Sequence, residues 1–215
     1  MKRMSLLALG LASVLAMTVL LAGGASAKEA KKDLLTFKTA KGVLASGAKL
    51  KATSSNLIFV TSSGNLECSS NILEGEVKVN NAKKDTGPIT AESSTGSETV
   101  EGKTGACKTT TVLGATLIST SHLPWEAVFT DKGQNEVKGK KVSFTATFGG
   151  GVKCTFEASK VKSSFGTSGP VVIKTTNQVF KAGKGSNGLC PKSGKLSGEF
   201  TTTSSGETIE AELTS

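Results

Sequence analysis

Beyond residue 27 the chain contains no arginine, no methionine and no tyrosine, and it has one histidine and one tryptophan. Each scarcity excludes something. Arginine supplies the planar fork that grips carboxylates, phosphates and guanine edges in a bidentate way. Lysine offers only a solvated point charge, so sequence-specific nucleic-acid recognition is not expected. No C-x-x-C pair occurs and His122 stands alone, which argues against a zinc site. No G-x-S-x-G elbow is present. No segment after residue 27 sustains a helical period, which leaves the strand pattern as the main signal. No cofactor is implied.

What is present begins with the N-terminus. Lys2 and Arg3 precede an apolar run from Met4 to Ala22; Gly23-Gly24 breaks it, and Ala25-Ser26-Ala27 is a small-residue cleavage pattern. Residues 1–27 therefore read as a secretory signal peptide. The alternative is an uncleaved anchor, because the run approaches bilayer-spanning length. No cysteine near Ala27 invites a lipid anchor, and no apolar tail follows Leu213, so no membrane span is expected once the signal is removed. Cleavage takes two positive charges from the net +9, leaving +7 carried by lysine alone. The lysines divide evenly, 12 on either side of residue 124. Such a spread reads first as a solvated surface.

Four cysteines in an exported chain predict two disulfides. They sit in a faint internal repeat. Phe59, Gly64, Leu66 and Cys68 are echoed by Phe144, Gly150, Val152 and Cys154. Gly87-Pro88-Ile89 precedes Cys107 as Gly169-Pro170-Val171 precedes Cys190. Leu113 and Leu117 follow Cys107 at the offsets at which Leu196 and Phe200 follow Cys190. A repeat of about 85 residues predicts two copies, 28–124 and 125–215. It favours Cys68–Cys107 with Cys154–Cys190, one bridge per copy. Cys68–Cys154 with Cys107–Cys190 also respects the symmetry.

Period-two alternation predicts strands. Val142, Phe144, Ala146 and Phe148 share one face, Gly149-Gly150-Gly151 turns the chain, and Val152, Cys154, Phe156 and Ala158 return on the same face. Trp125, Ala127 and Phe129 alternate likewise, and so do Ile209, Ala211 and Leu213. Leu57 to Val60 reads as a central strand. Gly87-Pro88 and Gly169-Pro170 read as turns, and Ala91 to Thr104, poor in apolar residues, as a long loop or loose hairpin. The fold class is all-β: two tandem or pseudo-symmetric units of sandwich or barrel type, with one disulfide each. The joint near His122 lacks linker composition, so the copies should pack together.

Gly64-x-Leu66-x-Cys68, Gly105-Ala106-Cys107, Leu123-Pro124-Trp125 and Val152-Lys153-Cys154-Thr155-Phe156-Glu157-Ala158 carry a resemblance. Taken in this order they resemble small secreted proteins found as many paralogues in soil actinobacteria of the Solirubrobacter type. The resemblance covers most of the chain after the signal and implies export and fold style, with no activity attached.

The candidate sites are few. His122 could act as a base beside a serine, but nothing in the pattern supplies the rest of a triad. Glu74 with Glu76, and Glu210 with Glu212, each share a strand face and could form an acid/base pair; a solvated outer face is the simpler reading. Trp125 could stack on a sugar, though a core position suits it better. Gly183-Lys184-Gly185-Ser186-Asn187-Gly188 only superficially resembles a phosphate loop and reads as the loop that delivers Cys190. Lys138, Lys140 and Lys141 with Lys160 and Lys162 could contact an anionic cell-envelope polymer. The expected function is a secreted, non-catalytic protein of binding or structure at the cell envelope. A hydrolase using His122 or a carboxylate pair is one alternative, and a lysine-mediated polymer binder is the other.

Overall fold

The computed structural model of the protein describes residues 33–214. The expected signal peptide, 1–27, lies outside the described residues. In chain order the strands begin with β1 (Leu34–Thr39), β2 (Gly42–Val43), β3 (Lys49–Ser54), β4 (Leu57–Thr61), β5 (Gly64–Cys68), β6 (Ser70–Glu76) and β7 (Lys84–Thr95). A small hairpin of β8 (Glu98–Val100) and β9 (Lys103–Ala106) leads to β10 (Lys108–Thr109), β11 (Thr116–Ser121) and β12 (Trp125–Thr130). The long β13 (Gln134–Phe148) and β14 (Lys153–Ser164) follow. Last come β15 (Gly169–Pro170), β16 (Val172–Ala182), β17 (Ser193–Ser204), β18 (Glu207–Thr208) and β19 (Glu210–Thr214).

Eight of these strands form a closed antiparallel barrel. The wall runs β3–β6–β7–β12–β13–β14–β16–β17, each strand pairing with the next. It closes where Thr201, Thr202 and Thr203 of β17 pair with Thr53, Ala52 and Lys51 of β3. An eight-stranded barrel has an interior just wide enough for side chains or one small ligand. The expected sandwich- or barrel-like units are thus realised as one barrel, and strands from both 28–124 and 125–215 build its wall. Among the described residues no helix is long and apolar enough to cross a membrane.

Two wall strands are split. β4 follows β3 after Ser55-Asn56 and pairs with the first half of β17, from Gly194 to Ser197. It therefore branches from the wall at β17 and carries β5 and β10, and with β17 on one side and β5 on the other it is an inner strand of the sheet, as the apolar run suggested. β11 pairs with the second half of β13, while β12 pairs with the first half. One seam in the wall is incomplete. β14 and β16 pair at Phe156–Ala182, Glu157–Lys181 and Ser164–Lys174, with no ladder between. There the backbone N–H of Lys162 donates to the Gln178 side chain at 2.8 Å.

The alternation places one face of each wall strand inside. Phenylalanines close both ends of the interior. At one end the four-stranded sheet β15–β19–β1–β2 brings Leu35, Phe37 and Ile209 against Phe129 and Phe165. Phe37 and Phe165 meet Phe129 edge to face, with ring centroids 5.2 and 5.4 Å away. At the other end Phe59 packs among Phe144, Phe156 and Phe180, with centroids 4.7–6.1 Å apart. Gly194 lies under the Phe59 ring; a Cβ there would fall 2.2 Å from it.

The hairpin of β13 and β14 turns at Gly149–Gly151 as expected, with Phe144 opposite Phe156 and Ala146 opposite Cys154. Two local expectations are corrected. Ala91 to Thr95 continue β7, and the hairpin β8–β9 occupies much of the rest of the expected loop. Gly87-Pro88 is not a turn: it lies within β7, with Pro88 opposite Glu126. Gly87 is needed there because a Cβ would sit 2.0 Å from the Glu76 carbonyl oxygen of the adjoining strand.

The disulfides are Cys68–Cys107 and Cys154–Cys190, the pairing that the repeat favours, with Cα atoms 4.5 and 5.5 Å apart. Cys68, Cys107 and Cys154 are buried, whereas Cys190 is half-exposed on the loop between β16 and β17. Each bridge closes a loop of nearly 40 residues, for which chain entropy gives about 4 kcal/mol. Under a graded series of reductant, Cys154–Cys190 is expected to open before Cys68–Cys107, read by alkylation and peptide mapping. The reverse order would contradict the difference in burial.

Candidate functional site

The interior holds a cavity of about 200 Å³. Its wall is mostly apolar, with Leu73, Ile89, Ala127, Val137, Val161 and Leu196 among the contributors. A polar band crosses it near the Phe129 end. Phe129 lies directly opposite Asp85 on one side and Asn135 on the other, and Asn135 lies opposite Ser163. The Ser163 and Thr175 hydroxyls are hydrogen-bonded at 2.7 Å.

Asp85 is the charged member of this band and is only 1% exposed. Its Oδ1 accepts a hydrogen bond from the Ala82 N–H at 3.0 Å. Its Oδ2 has no protein partner among the described residues. Burial raises its pKa from 3.8 to about 7, against the lowering effect of the Ala82 and Asn81 N–H groups. Glu92 also lines the cavity. Burial pushes its carboxyl up, while the Ser94 and Thr120 hydroxyls donate to it and pull the other way. Two further buried polar atoms at the cavity wall lack protein partners. They are Asn71 Oδ1, whose amide nitrogen serves the Ser54 and Cys68 carbonyls, and Trp125 Nε1. Buried polar atoms are normally satisfied within a fold, so a cluster of exceptions around one cavity calls for an explanation.

The residues singled out from sequence fall mainly elsewhere. Trp125 is 6% exposed and belongs to the core, so it offers no sugar-stacking platform. His122 has φ 64° and sits between β11 and β12, beside the cis Leu123–Pro124 bond. Its Nδ1 lies 2.9 Å from Ser143 Oγ and 3.1 Å from Ser121 Oγ. Ser143 is fully buried, and its hydroxyl is also held by that of Ser121 at 2.7 Å. The three side chains thus brace β11 against β13, with Ser143 also at the cavity wall.

Glu74 and Glu76 sit on β6 opposite Lys51 and Lys49, with Glu76 paired to Lys49 at 2.8 Å. Glu212 pairs with Lys38, and Glu210 is exposed. The Glu210 and Glu212 pair lies apart from the cavity, whereas Glu74 and Glu76 are among its lining residues, as is Lys51, which lies opposite Glu74, while Glu76 is paired with Lys49. Lys138, Lys141 and Lys160 pair with Glu126, Glu157 and Glu136, leaving Lys140 and Lys162 without a salt bridge among the described residues. The expected polymer-contacting set is thus more than half neutralised. The 183–188 loop folds back on β14, with the Gly183 and Asn187 N–H groups donating to Thr155 and Lys153, and it carries Cys190. Among the described residues no group of three or more His, Cys, Asp or Glu is placed to hold a metal ion.

Sequence reasoning missed Asp85, Glu92 and Asn71. Asp85 has the same strand parity as Gly87 and Ile89, which is the signal that could have found it, but the Asp-x-Gly-Pro run imitates a turn. No family model, curated protein or solved structure matches the chain.

Asp85 makes stability pH-dependent with a definite sign. Its folded pKa lies above its unfolded one, so the folded state keeps a proton that the unfolded chain releases. Stability is full below about pH 4 and is lost as pH rises through about 7. Asp85→Asn keeps an acceptor for Ala82 and removes the charge. It is expected to stabilise the protein at pH 8 by about 1–3 kcal/mol, after allowance for screening, and to change little at pH 4. Thermal unfolding at both pH values checks this; an equal effect at the two would contradict it.

Proposed function

We propose that the protein is a secreted, non-catalytic binding protein of the cell envelope whose ligand is a small, largely apolar molecule held inside the barrel. The observation that carries this reading is the chamber between the two phenylalanine clusters, lined by apolar side chains and a few polar atoms without protein partners among the described residues. Binding sites for small molecules have this makeup: an apolar wall with a few polar groups that orient the ligand. The mouths and interiors of β-barrels are common places for them. Cavities of about 150 Å³ accept benzene, so a chamber of about 200 Å³ suits a single ring with a short arm.

Export is supported by the signal pattern at 1–27 and by two disulfides, which persist in oxidising compartments. The two-copy reading, 28–124 and 125–215, belongs to the same proposal, supported by one bridge within each segment. So does the resemblance to secreted actinobacterial proteins.

The only tryptophan of the chain, Trp125, lines the cavity and serves as a reporter. Monocyclic probes such as phenol and indole are expected to change its fluorescence saturably and to raise the Tm. Ala127→Phe, which fills the chamber, should abolish both effects in protein that remains folded by circular dichroism. Probe binding that survives this filling, or no response to any probe at millimolar concentration, would overturn the reading.

A further inference from the structure

We propose that the chamber is built for a small primary amine, whose ammonium group pairs with the Asp85 carboxylate while an apolar body of single-ring size fills the space. This rests on the lumen-binding reading above and names the ligand class for it.

Charge placement is the first argument. Of the four acidic residues that line the lumen, Glu74 and Glu76 lie opposite Lys51 and Lys49, and Asp85 and Glu92 are the two whose charged forms burial disfavours. Every described lysine is exposed or half-exposed, and Lys51, the one that borders the cavity, is exposed and lies opposite Glu74. A wall with four acids and one lysine disfavours a carboxylate or phosphate ligand. It favours one that brings positive charge, because a buried charge is costly until it is paired.

Valence is the second argument. The Glu92 carboxyl is already served by the Ser94 and Thr120 hydroxyls. Asp85 uses Oδ1 on the Ala82 N–H and keeps Oδ2 free, although it is 1% exposed. The turn at Asn81–Ala82 therefore explains one of its oxygens and leaves the other to a donor from outside the chain. A charge-assisted hydrogen bond to that oxygen is the strong kind.

The surroundings of Asp85 are the third argument. Its cross-strand neighbour is Phe129, an aromatic side chain at the same level of the wall. A carboxylate next to an aromatic ring is the combination that recognises an ammonium group, by ion pairing and by the negative ring face. Asn135 and the Ser163–Thr175 hydroxyl pair continue the band and offer acceptors for the remaining ammonium protons. Burial holds the empty Asp85 carboxyl partly protonated near neutrality, and an arriving ammonium group removes the reason for that.

Three probes of one shape test the assignment at pH 8: 2-phenylethylamine, 2-phenylethanol and phenylacetate. Calorimetry and Trp125 fluorescence are expected to give the amine at least ten-fold tighter binding than the alcohol, with no measurable binding of the acid. Asp85→Asn should lower the amine to the level of the alcohol and leave the alcohol within three-fold of its original affinity. Glu92→Gln should leave the amine preference in place. Equal binding of amine and alcohol by the unaltered protein would overturn the amine assignment alone and leave the lumen reading standing. Persistence of the preference in Asp85→Asn, or its loss in Glu92→Gln only, would overturn the role given to Asp85. Failure of all three probes to bind would overturn this inference together with the reading on which it rests.

Discussion

The short seam between β17 and β3 is the constraint on which the rest of the molecule depends. Three residue pairs turn an eight-stranded sheet into a tube. Side chains reinforce the seam. The hydroxyls of Thr53 and Thr201 meet at 3.2 Å, Thr203 donates to the Lys51 carbonyl, and Ser204 donates to the Lys49 carbonyl at 2.7 Å. Because β17 also pairs with β16, β4 and β18, it ties the wall, its side branch and the chain end together. Without this seam β3 and β17 would present unpaired edges and the chamber would have no fourth side. Closure is the one device that removes sheet edges altogether.

The two faces of that wall follow different electrostatic rules. Outside, lysines and glutamates face each other across strands, as in Lys160 with Glu136 and Lys174 with Glu199. Such exposed pairs contribute well under 1 kcal/mol each and serve mainly solubility. Inside, Asp85 is buried and Glu92 half-buried, and burial disfavours their charged forms. The fold therefore tolerates a destabilising feature in its centre while its surface is balanced. Natural sequences depart from local consistency in this way mostly where a site has to work.

Much of the architecture was legible because alternation reports which face of a strand is buried. The β13–β14 hairpin, the inward positions Trp125, Ala127 and Phe129, and the disulfide pairing all came from spacing. Alternation does not say which strand neighbours which, so the return of β17 to β3 across about 150 residues left no local trace. Composition misled at two places. Gly87-Pro88 carries turn residues because a neighbouring carbonyl needs the room, and Ala91 to Thr95 continues a strand whose exposed positions are polar. The site was hidden for a related reason. A lumen that binds something must contain polar residues where a core would be apolar, and those residues weaken the pattern by which strands are recognised.

The incomplete ladder between β14 and β16 bears on how that chamber communicates with the outside. Aromatic clusters pack near both ends of the interior, and parting them would expose large apolar areas to water. Along the β14–β16 seam there are few backbone bonds to break, and the Gln178 side chain supplies one of the links. Regions of sparse bonding open locally at a small fraction of the global unfolding free energy. The Lys162 amide hydrogen, which faces β16, will therefore exchange with solvent ahead of the β14 amides that bond to β13. Local opening along that seam would leave the closing seam of the barrel and the two bridges undisturbed.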